Sequence, residues 1–155
     1  MGLSYEQALE LVRDIPYKIG HIVGFKDLTE LHNDWLRSFL LSKTDQTLLA
    51  HRGSYKTTDL SLFLAIHTVV CPNENVIFFR KTDTDVIEVM TQAEKILKSD
   101  IMQMIAYALY GCYIYLLKET GAEIHTNLCV SAKGVSQVIG LGIGTSITGK
   151  HADIV

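Results

Sequence analysis

The sequence has few cysteines, and they form no recognisable metal-binding pattern. Its 155 residues include only Cys71, Cys112 and Cys129, which are odd in number and widely spaced. No Cys-x-x-Cys pair and no Cys/His cluster stands out, so the spacing gives no support to a zinc site. Reduced, mostly buried thiols in a cytosolic protein are the interpretation that we favour.

Segments that would direct the chain to a membrane are also missing. No charged region followed by an apolar run opens the chain, so we expect no signal peptide. The most apolar stretch, Leu60 to Val70, is shorter than the roughly 20 residues that a transmembrane helix needs. We therefore expect no membrane among the partners of this protein.

An excess of basic charge is lacking as well. The 14 Lys and Arg residues face 17 Asp and Glu residues, which gives a net charge of −3. This balance gives no sign of a globally basic nucleic-acid-binding protein, but it leaves local DNA contacts open. Hydrophobic residues make up 48% of the chain and charged residues 20%, which is typical of a well-packed globular domain.

The most informative stretch runs from Gln46 to Val70. It predicts a strand at residues 47–50, a tight polar loop, and an apolar helix from about Thr58. The start of a helix offers unpaired N–H groups and the positive end of the helix dipole, and phosphate oxygens satisfy both. A strand, a loop that ends in Lys-Thr and a helix are together the setting of a phosphate-binding P-loop.

The loop departs from the common pattern G-x-x-x-x-G-K-[ST]. Ala50 and Tyr55 occupy the two glycine positions, whereas Lys56 and Thr57 match the end of the pattern. Lys56 would place a charge on the β- and γ-phosphates, the Thr57 hydroxyl would hold Mg²⁺, and Gly53 would relax the turn. An ordinary strand–helix connection with a solvated lysine is an equally open alternative.

The remaining pattern predicts an α/β domain. Helices are predicted at residues 4–13, 27–42, 82–100 and 101–112. Strands are predicted at residues 76–82, 114–117, 123–126 and 137–143, and an irregular or extended piece at residues 17–25. Residues 151–155 look like the opening of one more buried strand. Because a parallel strand needs neighbours and a following connection, we expect the chain to be a fragment of something longer.

Three segments, in this order, resemble the N-terminal ATPase domain of the large subunit of phage DNA-packaging terminases. LLAHRGSYKTT is similar to the deviant Walker A loop of that family, although Tyr55 stands where the family usually has glycine. NVIFFRKTDTDV is similar to the next strand, which commonly ends in a basic pair. VIGLGIGTSITGKHADIV is similar to the glycine-rich strand and the lead-in to Walker B.

The resemblance implies an α/β fold of the P-loop NTPase type, with a mostly parallel central sheet flanked by helices and truncated before the Walker B acids. Residues 1–44 would be a helical lead-in, and residues 45–155 a partial ATPase core. ATP and Mg²⁺ would be the cofactors. Arg52, near the γ-phosphate, and Lys56 would be catalytic, and Thr57 would help to hold the metal. The nucleotide-binding residues implied are His51, Arg52, Gly53, Ser54, Tyr55, Lys56, Thr57 and Thr58.

By the same resemblance, the parent protein would hydrolyse ATP and drive double-stranded DNA into a procapsid in the cytoplasm of a bacterial host. Its partners would be the portal, the small terminase subunit and further copies of itself in a ring.

By the resemblance, Asp153 belongs to the Walker B lead-in, and the Walker B acids would lie just past Val155. We therefore expect this chain to bind nucleotide weakly and to hydrolyse it negligibly. Steady Mg²⁺-dependent phosphate release from pure protein would speak against that expectation. The alternative is a non-catalytic α/β module that binds a phosphate-bearing ligand or a protein partner.

Overall fold

The computed structural model describes residues 2–144 and 152–155. This part of the chain forms six helices and four strands. The helices are α1 (Tyr5–Arg13), α2 (Pro16–Ile22), α3 (Glu30–Leu41), α4 (Lys56–Val70), α5 (Asp83–Leu97) and α6 (Asp100–Tyr110). The strands are β1 (Val76–Arg80), β2 (Leu116–Glu119), β3 (Glu123–Thr126) and β4 (Val138–Gly142).

Local signals in the sequence explain where several helices begin. Ser4 and Gln7 form a capping box, because Ser4 Oγ accepts from the Gln7 N–H at 3.1 Å and Gln7 Oε1 accepts from the Ser4 N–H at 2.9 Å. At α5 the cap is Thr82, whose Oγ1 accepts from the Asp85 N–H at 3.1 Å. The predicted helices at residues 4–13, 27–42, 82–100 and 101–112 are confirmed.

The prediction of an irregular or extended piece at residues 17–25 is wrong, because α2 covers most of it. Pro16 occupies the first turn of α2, where its missing N–H removes no helical hydrogen bond. Gly20 lies inside α2, and two neighbouring side chains leave no room for a larger residue there. A Cβ at this position would lie 2.5 Å from Leu28 Cδ1 and 2.8 Å from Leu62 Cδ1.

The strand predicted at residues 47–50 is also wrong. A strand needs a neighbouring backbone, and these residues pair with none of the four strands in the described part of the chain. The Ala50 carbonyl instead accepts a hydrogen bond from Lys56 Nζ, and Leu49 is 89% exposed. The helix α4 begins at Lys56, two residues earlier than expected.

The four strands form an open mixed sheet in the order β1-β4-β3-β2. β1 and β4 are parallel, whereas β3 is antiparallel to both of its neighbours. The expectation of a mostly parallel sheet is therefore wrong. The short connection between β2 and β3 permits only antiparallel pairing of these two strands, and β3 also runs antiparallel to β4.

The C-terminal residues add one more parallel contact to β1. Ile154 forms a bridge with Val76, and the Ile77 N–H donates to the Ile154 carbonyl at 2.9 Å. The predicted opening of a buried strand is confirmed only in this bridge, because Val155 is exposed. Residues 145–151, which include part of the glycine-rich segment and His151, lie outside the described residues.

The core lies around α4 and α5. Ten of the fifteen residues of α4 are buried, including Leu62, Leu64 and Ile66, so this helix is enclosed on nearly all sides. Its neighbours in the fold are α3 and α5, and α5 also packs on the sheet. Gly140 permits that packing, since a Cβ there would lie 2.5 Å from Val86 Cγ1.

Candidate phosphate-binding loop

Residues 51–55 form a tight loop that leads directly into α4. Lys56 folds back over this loop, and its Nζ donates to the carbonyls of Ala50 at 2.5 Å and His51 at 2.8 Å. The Ser54 hydroxyl donates to the same His51 carbonyl at 2.7 Å. The loop therefore curls around the ammonium group of the lysine that follows it.

Tyr55 has a left-handed backbone, with φ 58° and ψ 25°. It is the only non-glycine residue with positive φ in the described ranges 2–144 and 152–155. This conformation costs an L-residue about 1–2 kcal/mol, which is why glycine is common there. Gly53, at φ 82°, is the second left-handed residue of the loop. Tyr55 thus adopts the glycine-type backbone at the position where the P-loop pattern has its second glycine.

Contacts of the Tyr55 side chain compensate for part of this strain. Its hydroxyl donates to Asp27 Oδ2 at 3.2 Å, and this hydrogen bond raises the pKa of the phenol. The ring lies edge-on to the His32 ring, with 5.9 Å between the centroids. The tyrosine is therefore anchored to the segment that precedes α3.

His32 holds the loop in place through a hydrogen bond to its backbone, a role that the sequence did not indicate. Its Nδ1 accepts from the Thr29 N–H at 2.9 Å, so the proton lies on Nε2, which donates to the Ser54 carbonyl at 3.0 Å. The imidazole is buried, and the Trp35 ring packs edge-on against it. Thr29 and His32 form a capping box at the start of α3, and the fold brings the other ring nitrogen of His32 to the loop.

The predicted site residues form one continuous stretch, but their side chains differ in solvent exposure. His51, Arg52, Gly53, Tyr55 and Lys56 are exposed, Ser54 is buried, and Thr57 and Thr58 are half-buried at the start of α4. The Tyr55 side chain makes no capping hydrogen bond to α4. The loop therefore presents the first turn of this helix together with two basic side chains, those of Arg52 and Lys56.

Asp59, also in the first turn of α4, is an unexpected buried acid. Its side chain is 1% exposed, and neither carboxylate oxygen has a hydrogen-bond partner among the described residues. This burial raises the pKa of the carboxyl group to about 7. In the sequence Asp59 looked like an ordinary polar residue of a helix start, so nothing local indicated its burial.

A second group of chemically active side chains lies at the other end of α4. His67, Cys71 and Glu74 place one potential ligand atom each within 4.8 Å of one another. His67 Nε2 lies 2.9 Å from Glu74 Oε2. The conclusion that the chain has no clustered cysteine and histidine is therefore wrong. The Cys-x-x-Cys pattern does not cover this group, because it consists of one histidine, one cysteine and one glutamate.

Within the described ranges, no helix is long and apolar enough to cross a membrane. Arg80, the last residue of β1, is half-buried and pairs with Gly142 of β4.

Comparisons of the chain with protein-family profiles, with curated proteins and with solved structures found no match.

Proposed function

We propose that residues 51–58 bind the triphosphate of ATP together with Mg²⁺. The observation that carries this proposal is the left-handed Tyr55 placed directly before Lys56, the first residue of α4. Because Tyr55 is left-handed, the loop ends directly at Lys56. The side chain of this lysine and the first free N–H groups of α4 therefore lie at the same end of the helix. Such an arrangement suits a phosphate group, which takes hydrogen bonds from both.

Lys56 would change partners when a nucleotide binds. Its ammonium group is held by two neutral carbonyl oxygens, those of Ala50 and His51. Phosphate oxygens carry negative charge and form stronger, charge-assisted hydrogen bonds with an ammonium group. The exposed Arg52 would contact the γ-phosphate, and the Thr57 hydroxyl would complete the coordination of Mg²⁺.

On the resemblance described above, we further propose that the protein is the ATP-binding part of a terminase large subunit in a bacterial host. It would belong to a motor that moves double-stranded phage DNA into a procapsid. The portal, the small terminase subunit and further copies of the large subunit would be its partners. Three segments of the sequence support this identity, and the geometry of the loop supports the nucleotide site on which it depends.

Replacing Lys56 with alanine should weaken ATP binding by about 10- to 100-fold. A hydrogen bond to a charged group contributes about 1.5–3 kcal/mol, which corresponds to this range of dissociation constants. The measurement is a titration with fluorescent ATP in the presence of Mg²⁺. Lys43→Ala, which removes the same charge from an exposed position outside the loop, should bind like the wild type. Equal affinity of the Lys56→Ala variant and the wild type would refute the assignment.

The absence of a strand at residues 47–50 favours the second candidate, a module that binds a phosphate-bearing ligand without catalysis. In that case the loop would recognise phosphate groups and make no use of the adenosine. Competition of labelled ATP with inorganic triphosphate distinguishes the two. Equal affinities for ATP and triphosphate support the module, whereas clearly tighter binding of ATP supports a nucleotide site.

A further inference from the structure

We propose that His67, Cys71 and Glu74 form a binding site for a zinc ion. The site lies at the C-terminal end of α4, about 15–20 Å along the helix from Lys56, given a rise of about 1.5 Å per residue. It is thus separate from the candidate nucleotide site. The proposal does not depend on ATP binding, and its test can succeed or fail alone.

The backbone holds the three residues close together. His67 lies in the last turn of α4, and Cys71, four residues later, is the residue that caps the end of this helix. The Cys71 N–H donates to the His67 carbonyl at 2.8 Å, and the Glu74 N–H donates to the Cys71 carbonyl at 3.1 Å. The turn after α4 therefore brings the carboxylate of Glu74 back to the other two side chains.

The distances between the ligand atoms suit a small tetrahedral ion. Zinc bonds of about 2.0–2.3 Å at tetrahedral angles place neighbouring ligand atoms about 3.3–3.8 Å apart. The three atoms lie within 4.8 Å of one another, and the histidine and glutamate atoms are 2.9 Å apart. The His67 side chain is 3% exposed and Glu74 is 49% exposed. The carboxylate is therefore free to move by the small distance that a zinc ion requires, while the imidazole stays fixed.

The donor set favours zinc over magnesium and calcium. A thiolate and an imidazole are ligands that zinc prefers, whereas the harder cations prefer oxygen atoms. Zinc binding would displace the proton that His67 Nε2 shares with Glu74 and release the thiol proton of Cys71 to solvent. The thiolate and the Glu74 carboxylate would then balance the two charges of the ion.

A further carboxylate, that of Asp153, lies beside the turn that carries Glu74, and it forms an ion pair with Lys133 at 3.5 Å. Its Oδ2 accepts from the Asn75 N–H at 2.8 Å, one residue after Glu74. Bound zinc would join the end of α4 to the turn that enters β1, with a water molecule as the fourth ligand.

The test is a titration of the metal-free 155-residue protein with ZnCl₂ in a calorimeter, and with CoCl₂ in a spectrophotometer. We expect one zinc ion per chain and a cobalt-thiolate absorption band. Since loss of even an outer-shell partner costs a metal site about 10- to 100-fold in affinity, Cys71→Ser should weaken zinc binding by at least about 100-fold and abolish the band. Glu74→Gln, at an exposed position, should weaken binding without affecting folding.

Cys129→Ser is the matched control, because Cys129 is also half-buried but lies outside the cluster. It should bind zinc and cobalt like the wild type. Binding that is unchanged in both Cys71→Ser and Glu74→Gln would overturn the proposal, as would the absence of any zinc binding by the wild type. In either case the contact between His67 and Glu74 is a hydrogen bond that only stabilises the turn.

Discussion

Replacing Asp59 with asparagine should stabilise the protein, and the gain should increase with pH. The Asp59 carboxyl is buried without a hydrogen-bond partner in the described part of the chain, and its pKa is raised to about 7. A charge at this position is costly because burial removes its hydration. Asparagine has nearly the same shape and never carries that charge.

The direction of the pH effect follows from the raised pKa. Between the ordinary value of 3.8 and about 7, the folded protein holds the Asp59 proton more tightly than the unfolded chain does. Wild-type stability therefore falls as the pH rises through this window, by up to about 1.4 kcal/mol per pH unit. The advantage of Asp59→Asn should grow over the same window and level off above about pH 7, at roughly 2–4 kcal/mol.

Urea unfolding of the wild type and the variant at several values between about pH 5 and pH 8 measures this difference. Asp100→Asn is the matched control, because Asp100 is an exposed acid in the first turn of α6. Its effect should stay within about 1 kcal/mol and change little with pH. A difference between wild type and Asp59→Asn that does not vary with pH would show that this carboxyl is not buried as described.

Gln137→Leu should destabilise the protein by at least about 3 kcal/mol. The Gln137 side chain is 1% exposed, and its Oε1 accepts from the Thr126 N–H at 2.7 Å and from the Thr126 hydroxyl at 2.8 Å. Its Nε2 donates to the carbonyls of Thr68 at 3.2 Å and Pro72 at 2.8 Å. One side chain thus connects β3 with the end of α4 and the turn that follows.

Leucine would fill a similar volume but leave these groups without partners. Each buried polar group that loses its hydrogen bond costs about 1–3 kcal/mol, and at least three groups are affected. The free energy of unfolding in urea measures the loss. Gln46→Leu, at an exposed position, should change it by less than about 1 kcal/mol. Similar losses in both variants would mean that the hydrogen bonds of Gln137 contribute no more to the free energy of unfolding than those of an exposed glutamine.

Features that depend on neighbouring residues were predictable from the sequence. The helix at residues 4–13 and the strand at residues 76–82 follow from local patterns, and both are confirmed. The antiparallel pairing of β3 with β4 is not local, because it depends on which strands meet in the folded chain. The strand predicted at residues 47–50 failed for the same reason, since its apolar residues find no partner strand in the described part of the chain.

The same distinction between local and long-range features applies to the candidate sites. The loop residues from His51 to Thr58 could be proposed as a site from the sequence because they form one continuous stretch. His32 could not, since its contact with Ser54 joins residues 22 positions apart. The group of His67, Cys71 and Glu74 is also local, but its spacing of His-x-x-x-Cys-x-x-Glu does not correspond to a common zinc-binding pattern.

The most direct test of the nucleotide site is an NMR titration of the isotope-labelled 155-residue protein with Mg²⁺-ATP. We expect the amide signals of residues 53–58 to move first and farthest, because their N–H groups would surround the phosphates. Adenosine without phosphates should leave those signals in place. If saturating Mg²⁺-ATP moves only signals elsewhere in the protein, or none at all, the loop is not a triphosphate site.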